Sequence, residues 1–217
     1  MNLLKQRMRI FNEEVTVYPV SCEALCNGRS DREWLEAVLA GGAKIVQLRD
    51  KVSDDRTLYE KALFFREKTR AAGALFLVNN RLDIAILSDA DGIHLGNSDI
   101  PAQEARRLAP EMIIGVSANR AEQAASAAAR GASYFNIGPL FPTSTKSGLH
   151  NFIGSGAIAE WSRKSELPFT VMGGIKFDHL DELLAAGAKR IAVVTAISQA
   201  DDMRAETARW IKKILVS

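Results

Sequence analysis

Cysteine is scarce. Cys22 and Cys26 are the only two in 217 residues, and one pair four apart builds neither a secreted disulfide framework nor a zinc site. Long apolar runs are missing as well. No stretch approaches the roughly 18 residues a membrane helix needs, and Lys5, Arg7, Arg9, Glu13 and Glu14 interrupt the first residues before a signal-peptide core can form. A soluble, cytoplasmic chain without a membrane partner is the expectation. Charge of one sign is lacking too: 28 basic residues against 26 acidic ones leave +2, which supplies no bulk attraction for nucleic acid. The nine Phe and three Trp are scattered and form no stacking stripe for bases. Any anion site must therefore be local. With 47% hydrophobic and 25% charged residues, disorder, collagen and coiled coil lack support, and the length suits one large domain or at most two small ones, read here as one domain over residues 1–217.

What is present is an alternation of short β-branched runs with longer amphipathic stretches, the pattern of βα units around a parallel sheet. Strands are expected at Val15 to Val20, Lys44 to Leu48, Leu75 to Val78, Gly92 to Leu95, Met112 to Val116, Tyr134 to Ile137, Phe169 to Met172 and Arg190 to Val194. Helices are expected at Asp31 to Leu39, Thr57 to Ala71, Gln103 to Leu108, Ala121 to Arg130, Leu180 to Ala185 and Met203 to Leu215. An internal echo supports this order. Glycine then alanine closes a helix and opens a strand at Gly42-Ala43, Gly73-Ala74, Gly131-Ala132 and Gly187-Ala188, the position where a left-handed residue turns the chain back. Eight strands with such joints favour an α/β fold of the closed (β/α)8 TIM-barrel type over a doubly wound open sheet. Leu4, Met8 and Phe11, at helical spacing, mark a short N-terminal helical extension that covers the closed end.

Barrel chemistry lies at strand carboxyl ends, and the residues falling there are unusually polar. Gln47, Arg49 and Lys51 alternate at the end of the second strand and, with the strand continued, would present an amide and two cations to one side, which suits a polyanion. Asn79, Asn80 and Arg81 follow the third strand; His94 to Asp99 run over the end of the fourth; Ser117 and Asn119 come at the end of the fifth. Thr143-Ser144-Thr145-Lys146 lies in a segment too long for an ordinary connection, a candidate binding loop of hydroxyls and one cation. Gly173-Gly174 sits after the seventh strand, where these barrels commonly hold phosphate on backbone N–H groups. Two anion-binding regions on one rim suggest two phosphorylated small molecules. His94 reads as a packed, hydrogen-bonded residue, His179 as surface, and His150 is isolated.

Taken together, Val46-Gln47-Leu48-Arg49-Asp50-Lys51, Asn79-Asn80-Arg81, Asp91-Gly92-Ile93-His94-Leu95-Gly96, Gly115-Val116-Ser117, Gly138-Pro139-Leu140-Phe141-Pro142-Thr143-Ser144-Thr145-Lys146 and Gly173-Gly174 resemble the thiamine-phosphate synthase family, with its thiazole tautomerase branch. The resemblance implies a TIM barrel that joins hydroxymethylpyrimidine diphosphate to a thiazole phosphate, releases pyrophosphate and uses Mg²⁺. It places Gln47, Arg49, Lys51, Asn79, Ser117 and Lys146 on the diphosphate substrate, with Ser117 and Lys146 assisting departure of pyrophosphate. Thr143, Ser144, Thr145, Gly174, Val194 and Thr195 would hold the thiazole phosphate, and Asp99 with Asn80 the metal.

Three positions depart from the family pattern. Asn80 stands where a second metal-binding carboxylate is usual, so weaker Mg²⁺ binding is expected. Asn97 is a shorter amide than the usual Gln, and Asn119 replaces a His that the tautomerase branch uses for proton transfer. An amide is neither acid nor base near neutral pH, which argues against an isomerase. A diverged, non-catalytic phosphate-ligand binder stays open, as does a homo-oligomer.

Overall fold

Eight parallel strands pair side by side: β1 (Val17–Pro19), β2 (Ile45–Leu48), β3 (Leu75–Asn79), β4 (Gly92–Leu95), β5 (Ile113–Ala118), β6 (Tyr134–Ile137), β7 (Phe169–Val171) and β8 (Ile191–Val193). The computed structural model describes residues 2–143, 145 and 151–216. Along the sheet the order runs from β1 through β8 and down to β2. A parallel bridge between Val20 and Gln47 closes the ring. Around it lie α1 (Leu3–Glu13), α2 (Asp31–Ala40), α3 (Asp55–Ala72), α4 (Leu82–Leu87), α5 (Ala102–Leu108), α6 (Ala121–Ser126), α7 (Gly156–Ser162), α8 (Leu180–Ala185), α9 (Thr195–Ser198) and α10 (Met203–Leu215). This is the expected (β/α)8 barrel.

Local signals start and stop these helices. Ser30 and Glu33 form a reciprocal capping box on α2, and Asp54 caps α3 by accepting from the Thr57 N–H. Gly42, Gly73, Gly131 and Gly187 all take positive φ at the joints the sequence echo marks. Helices α4, α7 and α9, of six, seven and four residues, lie outside the expectations. The α6 helix stops at Ser126, short of the expected Arg130, where the alanine-rich chain continues as turns bonded three or four residues back.

Strand alternation divides the apolar residues into two cores. Val46, Leu48, Phe76 and Val78 point outward into the layer between sheet and helices, where Trp34 and Phe65 stack. Ile45, Leu75, Leu77, Ile113 and Tyr134 point inward, and Phe11 of α1 packs among them with its ring 4.7 Å from that of Tyr134. Four of those five open their strands, so α1 plugs the amino-terminal end of the barrel, as its spacing predicts. Arg190 fastens the plug by donating from Nε to the Phe11 carbonyl at 2.7 Å.

Candidate active site

Going up the barrel interior, the apolar layer gives way to a polar one. Asn79 Nδ2 donates to Gln47 Oε1 at 2.8 Å, and Gln47 Nε2 donates to the Tyr18 hydroxyl at 2.8 Å. The Tyr18 and Tyr134 hydroxyls lie 3.3 Å apart. His94 bridges Tyr134 through Nδ1 at 2.9 Å and Ser117 Oγ through Nε2 at 3.1 Å. Beside this chain, the Thr170 hydroxyl donates to Asn136 Oδ1 at 2.8 Å.

Above that floor opens a cavity of about 320 Å³. Gln47, Arg49 and Lys51 enter it from β2, Asn79 and Asn80 from β3, Asp99 from beyond β4 and Ser117 from β5. Thr143 and Thr145 reach it after β6, Gly174 after β7, and Val194 with Thr195 after β8. The structure thus brings together every sequence-expected site residue it describes; Ser144 and Lys146 lie outside the described residues. Tyr18, His94, Tyr134, Asn136 and Thr170 also line the cavity. Their signal is a polar group at an inward register position inside an apolar run, which becomes readable only once the register is known.

Asp50, between the two rim cations, turns away from the cavity. Its Oδ1 accepts from the Val52 and Ser53 N–H groups at 3.0 Å each, and its Oδ2 accepts from Lys61 Nζ at 2.7 Å. Burial opposes its charge, but Lys61 and Ser53 overcome that and hold its carboxyl well below the usual range. Lys61 also contacts Asp31 at 2.9 Å, and Glu23. These three carboxylates are close enough to hold a metal ion; the ammonium already fills that place. The cluster therefore anchors the loop that carries Arg49 and Lys51.

The loops after β6 and β7 lie against each other, with the Leu140 N–H on the Met172 carbonyl at 3.0 Å and the Phe141 N–H on the Gly173 carbonyl at 2.9 Å. A Cβ at Gly174 would overlap the carbonyl oxygens of Phe141 and Pro142, and its φ of +63° is left-handed besides. Only glycine lets these walls meet. Thr143 Oγ1 accepts from the Thr145 N–H at 3.2 Å, which sets two hydroxyls side by side at the edge.

One carboxylate reaches the polar wall. Asp99 Oδ2 accepts from the Gly96 N–H at 2.6 Å and from the Asn80 amide, whose Oδ1 in turn accepts from Lys51. A hard cation fits this donor set when water and substrate phosphate complete its shell, with one unit of ligand charge fewer than a carboxylate pair gives.

Burial pushes His94 down from 6.5 to about 4, with Asp99 opposing only weakly. Between those values the unfolded chain binds the proton and the folded one does not. This part of the stability is complete above about pH 6.5 and falls with pH to a floor near pH 4, up to about 3 kcal/mol in all. Urea denaturation across that range should show a shallower acid loss for His94→Gln than for the wild type; equal slopes would refute it.

A barrel whose strand ends gather cations, amides and hydroxyls around one cavity is the architecture of an anion-handling barrel enzyme. The family model for thiamine monophosphate synthase matches residues 17–197. The chain belongs to that family. It is 41% identical over 200 residues to the thiamine-phosphate synthase of Methanocella arvoryzae, covering 92% of this chain and 94% of that protein. Over 199 residues it is 39% identical to the thiamine-phosphate synthase of Chloroflexus aurantiacus, covering 92% of each. The solved thiamine phosphate pyrophosphorylase of Pyrococcus furiosus superposes with a TM-score of 0.85 at 32% identity, over 94% of this chain and 99% of that one. Among the described residues, no helix is long and apolar enough to cross a membrane.

Proposed function

We propose that this protein joins hydroxymethylpyrimidine diphosphate to thiazole phosphate, giving thiamine phosphate and pyrophosphate. One observation carries the reading: a single cavity holds a cationic end, at Arg49 and Lys51, and a hydroxyl and backbone end, at Thr143, Thr145, Gly174 and Thr195. In the reaction the C–O bond to the diphosphate breaks and its electron pair leaves on pyrophosphate. The pyrimidine-stabilised cation that remains is attacked by the thiazole nitrogen. Such chemistry asks for charge stabilisation and alignment. Arg49, Lys51 and the Ser117 hydroxyl hold the departing oxygens, with Lys146 as a fourth member on the strength of the family resemblance. Gln47 and Asn79 hold the pyrimidine end, and Ser144 and Val194 complete the thiazole side.

Mg²⁺, bound through Asp99 and Asn80, would add positive charge to the leaving pyrophosphate. Because Asn80 contributes an amide oxygen already engaged by Lys51, the metal requirement is high. Asn80→Asp should lower the half-saturating Mg²⁺ concentration roughly tenfold, read from a metal titration of thiamine phosphate formation; an unchanged curve would place Asn80 outside the metal site. An isomerase reading lacks its proton carrier, since Asn119 is an amide donating to the Gly138 carbonyl at 2.5 Å. The free thiols of Cys22 and Cys26 fit the reducing cytoplasm.

The test is incubation of purified protein with both phosphorylated substrates and Mg²⁺ or Mn²⁺, following thiamine phosphate by fluorescence after oxidation. Product dependent on both substrates supports the proposal. No product at high metal overturns it in favour of a non-catalytic binder.

A further inference from the structure

The 3.1 Å contact between His94 Nε2 and Ser117 Oγ has two opposite chemical meanings. If Nε2 accepts, the pair is a base beside a nucleophile. If Nε2 donates, the serine keeps its proton and offers it elsewhere. The rest of the buried chain decides between them.

Tyr18 is 1% exposed and Tyr134 fully buried, so each hydroxyl proton needs a partner within the protein. Gln47 Oε1 is occupied by the Asn79 amide, so Gln47 turns its N–H toward Tyr18. The Tyr18 oxygen is therefore an acceptor there, and its single proton goes to the Tyr134 oxygen. Tyr134, accepting from Tyr18, sends its own proton to His94 Nδ1. An imidazole that accepts at Nδ1 and is neutral carries its proton on Nε2. Reversing any one member sets two protons, or two lone pairs, face to face. A ring nitrogen that accepts from Tyr134 carries no proton of its own, which removes the doubly protonated alternative.

We propose that Gln47, Tyr18, Tyr134 and His94 form a one-way hydrogen-bond relay that fixes His94 as the Nε2–H tautomer and makes the Ser117 hydroxyl an obligate donor into the cavity. No proton moves along the relay. Tyr134 and His94 are positioning residues, and Ser117 is the group that touches substrate. A donor of fixed sense suits a phosphate oxygen gaining charge, and it forbids a covalent serine intermediate, because the imidazole nitrogen facing Ser117 has no lone pair to take its proton. The role of the donated bond rests on the coupling reaction proposed above; the polarity itself does not.

The test is nitrogen NMR of the full chain labelled with ¹⁵N at histidine, with His94→Gln assigning the signal among the three histidines. At about pH 7, protonated Nε2 and unprotonated Nδ1 are expected. A proton on Nδ1, or on both nitrogens, would overturn the relay. Tyr134→Phe removes the donor to Nδ1, so the tautomer bias should weaken, and kcat should fall roughly tenfold with KM for the pyrimidine diphosphate within about twofold. On a Ser117→Ala background the same change should cost nothing further; an additive loss would mean that Tyr134 acts only through packing. A fluorophosphonate probe should leave Ser117 unlabelled, and labelling would establish the opposite polarity. The NMR result needs no substrate. A wild-type protein with the expected tautomer but no coupling activity would therefore refute the function and leave the relay standing.

Discussion

Arg49→Met is expected to lower kcat/KM for the coupling reaction by roughly a hundredfold to a thousandfold, the range seen when one preorganised donor to a developing negative charge is removed. Arg49 follows the last residue of β2, and its position is held from two sides. Its backbone N–H donates to Ser21 Oγ at 3.0 Å, and its Nη1 lies 3.4 Å from Cys22 Sγ. The guanidinium therefore reaches the cavity without having to be ordered during the reaction. Arg49→Lys keeps the charge and loses the planar fork, so it should recover only part of the rate. Stability should stay within about 0.5 kcal/mol, as for other substitutions that leave the core intact. Steady-state kinetics and urea denaturation together check this, and a loss below about fivefold would take Arg49 out of the diphosphate cradle.

Gly115→Ala should cost about 3 kcal/mol of stability, at the upper end of the usual range for overpacking a core. A Cβ at Gly115 would overlap Cζ, Oη and Cε1 of Tyr134. That ring has no route of retreat, since it is fully buried and packed on Phe11. The variant must displace either the strand or the ring, and displacing the ring moves the hydroxyl that meets Tyr18 and His94. Activity should fall with stability. Adding Tyr134→Leu to Gly115→Ala should restore part of the stability and none of the lost activity, measured by urea denaturation and initial rates. Full recovery of both would show that the clash never reaches the site.

These two variants also mark the boundary of what can be read from residue order. Arg49 is legible: two cations alternating after a β-branched run point to an anion on a barrel rim. Gly115 reads only as part of a family string, because its neighbour across the sheet is Tyr134, nineteen positions later in the pairing of β5 with β6. The same holds for His94, which sequence reasoning takes for a packed residue. It is packed, and it also meets the cavity and Ser117. Asp50 shows the reverse: it stands in the polar string between Arg49 and Lys51, yet Lys61, eleven residues away on α3, draws it out of the cavity.

The order of apolar runs, helix caps and glycine joints determined by itself that the chain forms repeated βα units, and favoured a (β/α)8 barrel over an open sheet, because strand and helix periods and left-handed turns are properties of neighbouring residues. It also determined which polar groups fall at strand carboxyl ends. Only the tertiary structure decided the contacts that link Gln47 to Ser117 through Tyr18, Tyr134 and His94, and the capture of Asp50 by Lys61. Both depend on contacts between different strands or helices, whose partners follow from ring closure and register, which no local pattern encodes.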